Sequence, residues 1–119
     1  MHSLWDNVEH FESLVAEYAG SEHAVATDSC TNALFLSLKW CAQTGHWPSP
    51  ESVQVPRHTY ISVPMQVIHS GYQVSWVDRH WTGAYQLSPL PVVDSAQRFT
   101  HDMYASVSYT HLRAHETTC

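Results

Sequence analysis

The sequence predicts an α/β fold, a partial three-layer αβα domain on a mostly parallel sheet, in which short strand-like runs alternate with helical ones. Three observations predict it. Residues 24–38 read as a strand end, a tight polar turn and the start of an apolar helix. Ser52–Pro56 and residues 72–78 and 91–94 are short runs rich in β-branched or aromatic residues, closed by Pro or Asp. Between them, residues 61–70 have the make-up of a helix. At 119 residues the chain is one domain at most. That is long enough for a real core and short for an α/β enzyme.

Each element has a local reason. Residues 8–18 place Val8, Phe11, Leu14, Val15 and Tyr18 on one face at helical spacing. Asp6 is the expected N-cap, Glu9 completes a capping-box pattern, and Gly20 is the natural stop. Ala24, Val25 and Ala26 suit a buried strand end. Thr27 to Asn32 are cap and turn types, and Ala33, Leu34, Leu36 and Leu38 then give an apolar face with Phe35 beside it, running to about Gln43. Residues 46–51 are Pro-rich and cannot continue a helix. Pro64 is tolerated only in the first turn of its helix, and Gly71 caps that helix. Residues 79–90 read as irregular.

Charge and composition exclude several functions. A formal net charge of -6 with five Lys plus Arg argues against a nucleic-acid surface, which needs a basic patch. No apolar run approaches the roughly 20 residues that cross a bilayer, and residues 1–9 lack a signal-peptide pattern. A cytoplasmic location is the expectation. Three cysteines at unrelated spacings form neither a disulfide framework nor a metal pair. His111 and His115 are spaced i, i+4 but lack the Glu of a zinc-protease helix, so no metal site is expected. There is one lysine, Lys39.

A strand feeding a helix N-terminus aims several backbone N–H groups and the positive helix end at one spot, which suits a phosphate. Residues 11–20 followed by 24–34 resemble the start of the DegT/StrS sugar aminotransferases, fold-type I enzymes that use pyridoxal 5'-phosphate (PLP). Residues 55–62 and 70–78 continue the resemblance, and Val92-Val-Asp-Ser-Ala-Gln97 resembles that family's aspartate motif. The resemblance covers about residues 8 to 104. It implies that Cys30, Thr31 and Asn32 hold the cofactor phosphate, although the family usually has Gly at the Cys30 position. It implies that Tyr60 stacks on the pyridine ring, that Asp94 pairs with the pyridine nitrogen, and that Gln97 lies near the phenolic oxygen. A protonated ring nitrogen makes the ring an electron sink. On residue type alone, Tyr60 reads as core packing and Asp94 as a cap for the following turn.

Two departures limit what the resemblance carries. The family has a longer stretch before its aspartate motif than residues 79–93 provide. The family also needs a lysine to hold PLP as a Schiff base, and in the matching slot stands Arg113, which is no amine nucleophile. As written, the chain should not transaminate. Residues 108–117 resemble a translated sequencing adapter, so residues 1–105 read as a partial large domain and 106–119 as a non-native tail. The intact parent is expected to be a homodimer that moves an amino group from an amino acid to a nucleotide-linked keto sugar. The rival readings are a non-catalytic PLP- or nucleotide-sugar-binding protein, and a plain α/β domain without a site.

Overall fold

The computed structural model describes residues 3–44, 52–106 and 115–117, with residues 105, 106 and 115–117 described by backbone alone. Helix α1, Leu4–Ala19, begins earlier than the sequence predicts because Ser3, not Asp6, is its N-cap. The Ser3 hydroxyl accepts the Asp6 N–H at 3.2 Å, and the Asp6 carboxylate accepts the Ser3 N–H at 2.9 Å. Two free helix-end donors are thereby satisfied reciprocally. Gly20 ends the helix at φ 79°, where its N–H and that of Ser21 both reach the Ala16 carbonyl at 2.9 Å. An L side chain is strained there, so Gly20→Ala should cost about 1–2 kcal/mol in urea denaturation. A loss within error would mean the left-handed turn does not hold the helix end.

Residues 24–26 do not form the expected strand. Among the described residues no strand runs beside them; instead the Ala26 N–H donates to the Glu12 carboxylate at 2.7 Å. An extended segment without a ladder partner is not a sheet element. Helix α2, Cys30–Thr44, follows as expected, and β1, Ser52–Pro56, has the predicted bounds. Helix α3, Ser62–His69, carries Pro64 in its first turn and leads to Gly71 at φ 100°. Strand β2, Gln73–Val77, lies parallel to β1, with Val53 opposite Val74 and Val55 opposite Trp76. Two parallel strands joined by a helix make a βαβ unit.

The next stretch differs from its expectation. Within residues 79–90 lies a short strand β3, Tyr85–Gln86, which turns back antiparallel onto β4, Val92–Asp94. Strand β5, His115–Thr117, pairs parallel with β4. The described residues thus make a mixed α/β structure with two small sheets, one parallel and one mixed. The hairpin is why one mostly parallel sheet is not seen. The Gln54 N–H donates to the Ser88 carbonyl at 2.8 Å and ties β1 to the turn before β4.

The core lies between α2, α3 and these strands. Leu34, Leu38 and Cys41 of α2 meet Val53 and Val55 of β1 and Val67 of α3, joined by Leu87, Leu90 and Val92. Burial pushes the Cys41 thiol up to about 11, so it stays a thiol at neutral pH. Leu36, expected on the apolar face, is exposed. Helix α1 buries only Ala16 and Ala19, while Phe11 and Leu14 of its predicted face stay exposed. A short helix α4, Met103–Ser106, follows the hairpin.

Candidate cofactor cleft

Three segments far apart in sequence converge on one cleft. They are the first turn of α2, the loop between β1 and α3, and the residues at the end of β4. Two of these follow the C-terminal ends of strands, where ligand crevices form in α/β folds. The cleft encloses about 230 Å³. Helix α2 contributes Cys30, Thr31 and Leu34, the β1–α3 segment contributes Tyr60, Ser62 and Val63, and the β4 end contributes Asp94, Ala96 and Gln97.

The α2 end is set by Ser29. Its hydroxyl accepts the Asn32 N–H at 3.1 Å and its carbonyl accepts the Ala33 N–H at 3.0 Å. This is N-cap geometry. The Asn32 side-chain amide donates to Asp28 at 2.6 Å, and Asn32 does not line the cleft. Five of the six residues expected to bind the cofactor do line it: Cys30, Thr31, Tyr60, Asp94 and Gln97. Cys30 is disulfide-bonded, which the odd cysteine count did not lead us to expect.

Tyr60 is 68% exposed, so it is not a core residue. Asp94, by contrast, is buried. One carboxylate oxygen accepts the Ala96 N–H at 3.0 Å and the other accepts the Tyr85 hydroxyl at 3.0 Å. Asp94 therefore caps the turn and lines the cleft at once. Among the described residues no Lys, Arg or His pairs with it.

Tyr85 was not singled out by sequence. It is buried, stands directly opposite Asp94 in the hairpin, and hydrogen-bonds Thr59. The Trp81 ring lies 4.6 Å from the Tyr85 ring, centroid to centroid. Burial first, and the neighbouring Asp94 charge after it, push the Tyr85 phenol well above its ordinary range, against the Thr59 bond that lowers it. The one available signal was the alternation of Tyr85 and Leu87 about Gln86, too short to separate a strand from a loop.

Lys39 does not line the cleft. It lies nine residues along α2 from Cys30, which at about 1.5 Å per residue is over ten ångströms along the axis. The Arg113 slot and His111 lie outside the described residues, and the described residues hold no cluster of three or more metal-ligating side chains. No described helix is long and apolar enough to cross a membrane. A second hollow of about 310 Å³ adjoins the cleft through Gln97 and is flanked by His58, Arg79, His80 and Trp81.

Over 64 aligned residues the chain is 42% identical to the spore coat polysaccharide biosynthesis protein SpsC of Bacillus subtilis (strain 168). That alignment covers 54% of this chain and 15% of that protein, so the chain spans a small part of its relative. No solved structure matches the chain. The DegT/DnrJ/EryC1/StrS aminotransferase family matches residues 2–105. With most of its length matched, this chain belongs to the DegT/DnrJ/EryC1/StrS aminotransferase family.

Proposed function

We propose that residues 1–105 are part of the large domain of a PLP-dependent sugar-nucleotide aminotransferase, and that residues 106–119 are a non-native tail. The observation that carries the cofactor reading is the convergence of Thr31, Tyr60, Asp94 and Gln97, from three separate segments, on one cleft. Thr31 and the α2 N-terminus would hold the phosphate, where the helix dipole favours an anion. Tyr60, exposed at the cleft, would cover a face of the ring. Asp94 would pair with the protonated ring nitrogen, and Gln97 would lie near the phenolic oxygen. When bound, PLP supplies an electron sink for a carbanion at the amino donor. At about 230 Å³ the cleft is smaller than a typical ligand pocket of roughly 300–1,000 Å³, as fits a site completed by further protein.

Without a lysine at the cleft, the chain would hold PLP reversibly and would not transfer an amino group. The adjoining hollow offers the positive charge of Arg79, with His58 and His80 as hydrogen-bonding groups, beside Gln97 for an anionic, nucleotide-linked keto sugar. Exposed Leu4, Phe11 and Leu14, which share one face of α1 at helical spacing, support a homodimeric parent, since such a stripe favours a partner. The acidic composition supports a cytoplasmic protein without nucleic-acid or membrane partners.

The test is PLP binding to the full chain, followed by absorbance, with and without borohydride. Saturable binding with no trapped adduct is expected. A chain that shows no saturable binding sinks the reading. The missing lysine favours one other reading, a non-catalytic PLP- or nucleotide-sugar-binding protein. That rival gains if a chain extended beyond residue 105 in its source DNA still traps no adduct.

A further inference from the structure

We propose that Tyr85 is a positioning residue that locks Asp94 and the Tyr60 loop into one unit around the cofactor ring, a role that rests on the cofactor reading above. Two contacts join the hairpin to that loop. The Tyr85 hydroxyl bonds Thr59, the neighbour of Tyr60, and the Trp81 indole N–H donates to the His58 carbonyl at 2.8 Å. Residues 58 and 59, just before the exposed ring, are thus both held by β3 and the residue run before it. On its other side the same Tyr85 hydroxyl reaches the Asp94 carboxylate.

The proton order of this chain is fixed. An ionised carboxylate only accepts, and a phenol has one proton to give. That proton goes to Asp94, so the Thr59 hydroxyl must donate to the Tyr85 oxygen. Thr59, Tyr85 and Asp94 then form a directed relay ending on the carboxylate oxygen opposite the one held by the Ala96 N–H. With both oxygens held in one orientation, the carboxylate needs little reorganisation to meet a ring N–H, which is what preorganisation supplies. A phenol is already protonated at neutral pH, and burial of Tyr85 pushes it further from ionising.

The discriminating measurement is a ratio of affinities in the full chain, for PLP and for its 1-deaza analogue, in which carbon replaces the ring nitrogen. Wild type should prefer PLP, because Asp94 gains a partner only from the ring N–H. Tyr85→Phe, which keeps the ring, should reduce that preference about tenfold, the loss expected for one charge-assisted hydrogen bond. Thr59→Val should move the ratio the same way by less. If Tyr85→Phe weakens both ligands equally, Tyr85 is only hairpin core and the proposal is overturned. A wild-type ratio of one would remove the Asp94 pairing itself, a different failure visible before any variant is made. If wild type binds neither ligand, the cofactor reading and this proposal fall together. Should Tyr85→Phe lose its native circular dichroism, the Thr59→Val ratio decides alone, and an unchanged ratio overturns the proposal.

Discussion

Asp94→Asn should lower the affinity for PLP by about tenfold to a hundredfold while leaving the fold standing. The range follows from a charge-assisted hydrogen bond worth about 1.5–3 kcal/mol, at about 1.4 kcal/mol per tenfold. The fold survives because the amide oxygen can still accept the Ala96 N–H. The amide N–H can donate to the Tyr85 oxygen, and the Tyr85 proton then turns to Thr59. The relay reverses rather than breaks. Asp94→Ala is a harsher change, since it strips an acceptor from two donors, the Ala96 N–H and the buried Tyr85 hydroxyl. Each unsatisfied buried donor costs about 1–3 kcal/mol. Titrating both variants with PLP, beside a urea melt of each, separates pairing from capping. Unchanged PLP affinity in Asp94→Asn would leave Asp94 as a structural cap alone.

The largest stability effect should come from α2. Leu38 is 0% exposed at the centre of the core, and Leu38→Ala should destabilise the chain by about 2–5 kcal/mol. Leu36→Ala, two residues away and 54% exposed, should stay within about 0.5 kcal/mol of wild type. Urea midpoints of the two variants make the comparison direct. Equal losses would mean that α2 presents a different face to the strands than the one described.

The contrast between Leu36 and Leu38 shows how far the sequence reaches. Spacing identified α2 as apolar and helical, but nine of its fifteen residues are apolar, so the pattern left its inward face open. Only packing against α3, β4 and β5 chose Leu34, Leu38 and Cys41. The N-terminal helix was legible by period, yet its start was not, because Ser3 and Asp6 compete with Asp6 and Glu9 for the same capping geometry. Residues 24–26 have strand character and, among the described residues, no strand partner, and β propensity acts only through neighbours.

The same division runs through the site. Thr31, Tyr60, Asp94 and Gln97 were named through the resemblance to the family's motifs, because local rules alone read Tyr60 as core packing and Asp94 as a cap. Asn32 was named the same way, but its amide turned to Asp28, a local choice among polar partners that motif position does not fix. What the sequence by itself determined is the order of α2, β1, α3, β2 and β4, and the family motifs attached to them. The element order follows from local spacing, capping and turn chemistry, and the motifs from the resemblance alone. What only the tertiary structure decided is the antiparallel return of residues 85–86 onto β4. That return brings Tyr85 opposite Asp94 and Thr59 beside Tyr85. A contact between residues 26 positions apart leaves no periodic trace in the chain, because long-range pairing is set by which surfaces pack together, not by the residues next in line.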